Sequence, residues 1–192
     1  FGMFIIGQAM EDSGYLTHIC HRLFGRAKSV DALVLAILFT MGIGSAVLMN
    51  DTLAIIGTPI MLLLARRNII SPKLLLLCLA FAITTGSVMS PIGNPQNLLI
   101  ALGGKIENPF LTFFQYLFAP TIVNLFMAYI VLKVLFKKEF HRTQLEPGIE
   151  DIRHIRLAIV ARLSLILVVC LILAKVALAV MNLFTPVPFD FK

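Results

Sequence analysis

The chain has 192 residues, of which 59% are apolar and only 14% are charged, and its mean hydropathy is +0.94. This composition excludes an ordinary soluble domain and indicates an integral membrane protein. The net charge of +6 does not indicate a nucleic-acid partner, because most Lys and Arg residues flank apolar runs, as in cytoplasmic loops of membrane proteins. We therefore expect an all-α, multi-pass protein of a cell inner membrane, in contact with lipid and with its basic loops in the cytoplasm.

The first long apolar stretch, residues 32–65, has Asp51 as its sole charged residue. A spanning helix needs roughly 20 residues, so this stretch is too long for one span and barely long enough for two. Two half-length arms that meet at Asn50 and Asp51 fit better and predict a re-entrant helical hairpin whose tip is buried in protein or lines a cavity. Two full spans are the alternative, since they leave the basic segments on the same side.

The second stretch, residues 74–104, carries no charge but contains "TTGSVMSPIGNPQN" at residues 84–97. Its helix-disrupting residues, which cannot all lie inside one continuous helix, are Gly86, Pro91, Gly93 and Pro95. The pattern predicts a broken transmembrane helix over about residues 72–104, with halves at about 72–86 and 97–104. A simple kink at the two prolines is the alternative.

The rest of the chain divides by charge. A third apolar stretch predicts a span at about residues 109–135, and a basic cytoplasmic loop follows at residues 136–156. Residues 1–135 then form the first transporter repeat, and residues 157–192 begin a second repeat that is truncated here. We expect the chain to be a fragment of a longer protein.

Polar residues collect at the two interruptions. Free carbonyls at one helix end suit cations and free amides at the other suit anions, and paired interruptions in apolar segments indicate a transporter binding site. The candidate ligands are Ser45, Asn50, Asp51 and Thr52 at the tip and Thr84, Thr85, Ser87, Ser90, Asn94, Gln96 and Asn97 in the break. Asp51 can carry a proton or balance a sodium ion, or Asp51 and Thr52 simply cap the amides of the second arm.

Two motifs carry a family resemblance. "LMNDTLAIIGTPIMLLLARR" at residues 48–67, followed by "SPIGNPQNLLI" at residues 90–100, resembles the ion transporter superfamily that includes arsenite permeases, NhaD-type sodium/proton antiporters and citrate or dicarboxylate transporters. The resemblance covers residues 1–135. It implies an inverted repeat in which each half has a hairpin and a broken helix, elevator-like alternating access, and a homodimer of the full-length protein.

The resemblance also assigns the site. Asn50, Asp51 and Thr52 match the hairpin-tip motif of the superfamily, and its broken-helix motif is matched by Gly93, Asn94 and Pro95. Together these residues would clamp a coupling ion and one side of the substrate, with Asn50, Asp51 and Asn94 as candidate sodium ligands. Sodium-coupled dicarboxylate transporters typically have Ser-Asn-Thr at the tip, so Asp51 is more similar to the arsenite permease and antiporter branch.

The expected function is secondary active transport of a small anion, oxyanion or metalloid, arsenite- or carboxylate-like, coupled to a sodium or proton gradient and without a cofactor. A sodium/proton antiporter of the same superfamily is the alternative. An intramembrane hydrolase that uses Asp51 would need a second carboxylate, a His or a Ser/Lys pair at membrane depth, and the apolar segments supply none. A purely structural subunit would not need a polar tip opposed to a polar break.

Overall fold

A computed structural model describes residues 13, 22–25, 27–104, 106, 108–141, 159, 160, 162–164, 166, 167, 170 and 174. The regular structure of these residues is entirely helical, which confirms the predicted all-α class. The helices are α1 Val30–Leu48, α2 Asn50–Asn68, α3 Pro72–Ser87, α4 Pro95–Gly103, α5 Pro109–Leu135 and α6 Lys137–Phe140. Most of the predicted basic loop at 136–156 and of the predicted second repeat at 157–192 lies outside the described residues.

Helices α1 and α2 form a hairpin in which Met49 alone separates them. The Ser29 hydroxyl oxygen accepts from the Ala32 N–H at the start of α1, and Ile69, in the left-handed region, ends α2. Each helix has 19 residues, about 28 Å at ~1.5 Å per residue. The expectation of half-length arms is therefore wrong, because both helices continue to caps that lie beyond residues 32–65. Re-entrance of the hairpin stays a prediction.

Helix α3 lies at the centre of the bundle and packs against α1, α2 and α5. Its buried residues recur at helical spacing, as in a helix with a wide apolar face; they include Leu74, Leu75, Cys78, Leu79, Ala82 and Ile83. Helix α1 runs parallel to α3, since Val34 contacts Cys78 near their starts and Gly42 contacts Gly86 near their ends. The ends of α1 and α3 therefore lie on the same side of the bundle.

The break in the second apolar stretch is residues 88–94, between Ser87 and Pro95. The sequence predicted halves at about 72–86 and 97–104. The structure ends the first half at Ser87 and begins the second half at Pro95, two residues earlier than expected, because proline suits the first position of a helix, where no amide donor is needed.

Charged residues gather at the opposite end of the bundle from the hairpin tip. Lys133 Nζ lies 2.5 Å from Asp31 Oδ1, so the end of α5 meets the beginning of α1. Helix α5 has 27 residues and α3 has 16, which correspond to about 40 Å and about 24 Å. The break therefore lies within the depth that α5 covers.

Helices α4 and α5 present large apolar side chains on their surfaces. Leu99 and Leu102 of α4 are 71% and 70% exposed, and Val134 of α5 is 71% exposed. Among the described residues, α1 and α5 are long and apolar enough to cross a membrane, and α3 is a shorter apolar helix. These surfaces are typical of a membrane-embedded protein, where lipid or neighbouring helices cover such side chains.

Candidate functional site

The two interruptions are joined directly by a backbone hydrogen bond. The Asn50 N–H, at the start of α2, donates to the carbonyl oxygen of Gly93 at 2.9 Å, and the Gly93 N–H donates to the Ser90 carbonyl at 3.2 Å. A Cβ on Gly93 would lie 2.0 Å from the Ser87 carbonyl oxygen, so only glycine fits there. The structure thus brings the hairpin tip and the break together through Asn50 and Gly93.

At the tip, the first turn of α2 carries the polar residues that the sequence singled out. Asn50 Oδ1 accepts a hydrogen bond from the Asp51 N–H at 2.8 Å. The backbone amide of Asp51, in the first turn, is therefore satisfied by the Asn50 side chain. Asp51 is exposed and Thr52 is half-buried. A carboxylate in the first turn of a helix is favoured by the helix dipole, so Asp51 suits this position.

Met49, which joins the two arms, has φ 64° and ψ 143°. This combination lies near the backbone region that is essentially restricted to glycine, and a non-glycine residue there is strained by about 1–3 kcal/mol. The surrounding contacts must hold this conformation, including the Asn50 to Gly93 hydrogen bond that follows it. The tip is therefore a tightly constrained turn.

In the break, Asn94 caps α4 and ties it to α3. Asn94 Oδ1 accepts from the Asn97 N–H at 2.7 Å, and Asn94 Nδ2 donates to the Ser87 hydroxyl oxygen at 3.2 Å. The Ser87 hydroxyl donates in turn to the Thr84 carbonyl at 3.0 Å. Because Asn94 is buried, its amide group serves this local network.

Asn97 and Ser90 complete the network. Asn97 Nδ2 donates to the carbonyl oxygens of Ser87, Val88 and Ser90 at 3.3, 3.1 and 2.9 Å. The Ser90 hydroxyl oxygen accepts from the Ile92 N–H at 3.3 Å. Side-chain amides therefore satisfy the carbonyls at the end of α3 that a continuous helix would have bonded itself.

Ser45 lies further from the ligand-accessible surface than the sequence suggested. It is fully buried, and its hydroxyl donates to the Gly42 carbonyl at 2.7 Å inside α1. Sequence reasoning missed two residues that shape the site, Met49 and Gly42. Methionine is not a typical turn residue, so nothing in the sequence marked Met49. Gly42 is one of several small residues near the end of α1, and that cluster was the available signal.

The electrostatic character of the site follows from its composition. Asp51 is the sole charged residue within residues 32–65, and residues 84–97 carry none. The carbonyl end of α1 and the amide end of α2 meet beside it, so opposite partial charges lie close together. A single carboxylate among neutral oxygen and amide groups suits a proton or a monovalent cation next to a small polar solute.

Comparison with known proteins assigns the chain to a family. The sequence model of the citrate transporter family, CitMHS, matches residues 1–188. The silicon efflux transporter LSI3 of Oryza sativa subsp. japonica is 29% identical over 139 residues, which cover 72% of this chain and 28% of that protein. The inner membrane protein YbiR of Escherichia coli (strain K12) is 30% identical over 99 residues, covering 52% of this chain and 27% of that protein.

The chain thus spans little more than a quarter of the length of these curated relatives. No solved structure matches it significantly. The family and the rice relative are transporters and not enzymes, which excludes the hydrolase alternative and confirms the resemblance that the tip and break motifs carry. The chain is therefore membrane-embedded and belongs to the citrate transporter family of the ion transporter superfamily.

Proposed function

We propose that the chain carries the first repeat of a secondary active transporter that moves a small anion, oxyanion or metalloid, driven by a sodium or proton gradient. Family membership supports the transporter class, and the name of the rice relative, a silicon efflux transporter, supports a metalloid among the substrates. Arsenite-like and carboxylate-like solutes share the required chemistry, because each offers several oxygen atoms to neutral amide and hydroxyl groups.

The observation that carries the proposal is the 2.9 Å hydrogen bond from the Asn50 N–H to the Gly93 carbonyl. Because the bond joins tip to break, a ligand that contacts one interruption also acts on the other. Asp51, one residue after this bond and exposed, is the coupling residue. Asn50 and Thr52 flank it as ligands, with Asn94 nearby for a sodium ion. The supporting frame consists of Ser45, Ser90, Gly93, Pro95 and Asn97.

The charge of Asp51 gives a physical reason for coupling. A carboxylate repels an anion that binds beside it. A bound proton or sodium ion removes this repulsion, so the cation binds first and the anionic substrate follows. A neutral metalloid hydroxide instead hydrogen bonds with the carboxylate or its protonated form. In both cases the driving ion and the substrate share Asp51.

Antiport of sodium against protons is the second candidate, and Asp51 is again the observation that favours it. A single exposed carboxylate beside the carbonyl end of α1 can hold either a proton or a sodium ion in turn. Such an antiporter needs no anionic substrate. Sodium-driven proton movement in the absence of any organic acid, oxyanion or metalloid would distinguish the antiporter.

In this proposal the full-length protein is a homodimer in a cell inner membrane. Its second half repeats the hairpin and broken helix in inverted orientation, and the hairpin of α1 and α2 re-enters the membrane. The charged end of the bundle faces the cytoplasm. This orientation is supported by the basic residues gathered there, because Lys and Arg favour the cytoplasmic side; they include Arg66, Arg67, Lys73, Lys133, Lys137 and Lys138.

The test is Asp51→Asn in the full-length protein, reconstituted into proteoliposomes. Uptake of citrate, arsenite and silicic acid is measured with imposed sodium and proton gradients. We expect the variant to lose gradient-driven uptake and its pH dependence, because the amide can neither release a proton nor balance a cation. Asp31→Asn makes the same chemical change at the opposite end of α1 and serves as the control. Unchanged transport and pH dependence in Asp51→Asn would refute the proposal.

A further inference from the structure

The carbonyl end of α3 is occupied by a side chain of the chain itself. Three carbonyl oxygens, those of Ser87, Val88 and Ser90, lie within 3.3 Å of Asn97 Nδ2. Ser87 ends α3 and Val88 caps it, so their carbonyls carry the partial negative charge of the helix end, and the Ser90 carbonyl lies beside them in the break. Such a group of oxygens around one point is the arrangement that a hard cation prefers.

The position of the Asn97 amide is set by its neighbours. The Asn97 N–H donates to Asn94 Oδ1 at 2.7 Å, and Asn94 Nδ2 donates to the Ser87 hydroxyl oxygen at 3.2 Å. An amide group has two N–H donors, so serving three carbonyls requires that at least one donor is shared. The network therefore holds Asn97 Nδ2 within hydrogen-bond distance of all three carbonyl oxygens.

We propose that the Asn97 amide takes the place of a cation at the carbonyl end of α3 and keeps the break closed without a bound ion. Asn97 is then a positioning residue and not a ligand of the transported ion. It follows, resting on the proposed function, that the coupling cation of this half binds at the hairpin tip, where Asp51 is exposed, and not between the carbonyls of the break.

The distances show why a cation could replace the amide. A hard cation such as Ca²⁺ lies roughly 2.3–2.6 Å from its oxygen ligands, whereas the Asn97 nitrogen lies 2.9–3.3 Å from these three oxygens. The carbonyls therefore need to move inward by only about half an ångström to hold a hard cation. Backbone amides also serve two of these carbonyls, since the Ser90 N–H donates to Ser87 at 3.4 Å and the Gly93 N–H donates to Ser90 at 3.2 Å. The Asn97 amide contacts all three and holds them around one point.

The experiment introduces a carboxylate of the same shape, Asn97→Asp, into the full-length purified protein. A charged carboxylate cannot donate to the carbonyls and is repelled by them, whereas its protonated form donates one hydrogen bond. The melting temperature is measured from pH 5 to pH 8 in sodium chloride and in choline chloride of equal ionic strength. We expect it to fall with rising pH in choline and to recover most of the loss in sodium, unlike the wild type.

Three further variants separate the causes. Gln96→Glu adds the same charge at the neighbouring exposed position and should show no sodium-dependent recovery. Asn97→Ala removes the donors without adding charge, and its melting temperature should fall and then rise with sodium more than that of the wild type. Asp51, at the adjoining tip, is the other carboxylate near the break, so its contribution to the sodium response has to be excluded. The double variant Asp51→Asn/Asn97→Asp should therefore keep the sodium recovery.

Each outcome decides the inference. If Asn97→Asp and Asn97→Ala respond to sodium and pH as the wild type does, or fail to fold even in sodium at low pH, the amide is not standing in for a cation. If the melting temperature of the double variant did not recover in sodium, the added cation would bind at the tip, which would contradict the inference as well. A null effect of Asp51→Asn on transport would overturn the proposed function and leave this result unaffected.

Discussion

The carbonyl oxygen of Gly42 lies 2.0 Å from the position that a Cβ on Gly86 would take, so α1 and α3 touch backbone to backbone. Gly86 is the residue before Ser87, where α3 ends, and Gly42 lies in the last two turns of α1. Small residues allow such close crossings of membrane helices. This crossing therefore sets how near the hairpin tip can come to the break.

The first prediction concerns that crossing. Gly86→Ala should separate α1 from α3, because a backbone carbonyl cannot move aside as a flexible side chain can. Overpacking of this kind costs about 1–3 kcal/mol or more. The separation should also strain the hydrogen bond from Asn50 to Gly93. We expect a lower melting temperature of the full-length protein together with a loss of uptake in proteoliposomes.

Two other glycines supply the controls. A Cβ on Gly103, at the end of α4, meets nothing within 4 Å, so Gly103→Ala should leave the melting temperature unchanged or raise it. A Cβ on Gly57 would lie 2.8 Å from a Leu79 side-chain atom, which can rotate away, so Gly57→Ala should fall in between. Equal melting temperatures for all three variants would contradict the assigned crossing.

The second prediction concerns the strained turn at Met49. Both Met49→Gly and Met49→Ala remove the half-buried side chain, but only glycine adopts φ 64° and ψ 143° without strain. We therefore expect the glycine variant to be more stable than the alanine variant by about 1–2 kcal/mol. Inside a helix the order is the reverse, because glycine is about 1 kcal/mol less favourable than alanine.

Thermal unfolding of the two Met49 variants in the same detergent measures this order. Gly103 provides the matched helical comparison, since Gly103→Ala tests the opposite change near a helix end. An alanine variant as stable as the glycine variant would mean that Met49 does not lie in the glycine-like conformation. The constrained turn would then have no energetic basis.

The third prediction concerns the charged end of the bundle. Lys133 Nζ lies 2.5 Å from Asp31 Oδ1, which also accepts from the Tyr129 hydroxyl, and Lys133 lies over the rings of Tyr129 and Phe140 at 5.4 and 5.9 Å. Because the pair is partly exposed, solvent and salt screen its attraction. We expect Asp31→Asn and Lys133→Met to lower the melting temperature less than Gly86→Ala does.

A double-mutant cycle on Asp31 and Lys133, at low and high salt, isolates their interaction. The coupling should be favourable at low salt and shrink at high salt. Substrate affinity should stay unchanged in all variants of the cycle, because the pair lies at the far end of α1 from the tip. A coupling that is independent of salt, or a shift in substrate affinity, would contradict the assigned role.

The sequence by itself determined that the chain is helical, that it belongs in a membrane and that it is interrupted twice. Long uncharged runs require spanning-length helices, and Pro91, Gly93 and Pro95 within one run exclude a continuous helix. Such signals are local, because each depends on the backbone limits of a residue or on the transfer of a short segment into lipid. The bounds of α3 and α4 accordingly lie within two residues of those expected.

Only the tertiary structure decided how the interruptions meet and which polar atoms remain available. It placed the turn at Met49, joined the backbone of Asn50 to Gly93 and engaged the amides of Asn94 and Asn97 within the break. These contacts depend on the crossing of α1 and α3, whose residues are far apart in the sequence. Helix packing, and not residue type, therefore decided which polar side chains hold the break together and which stay exposed.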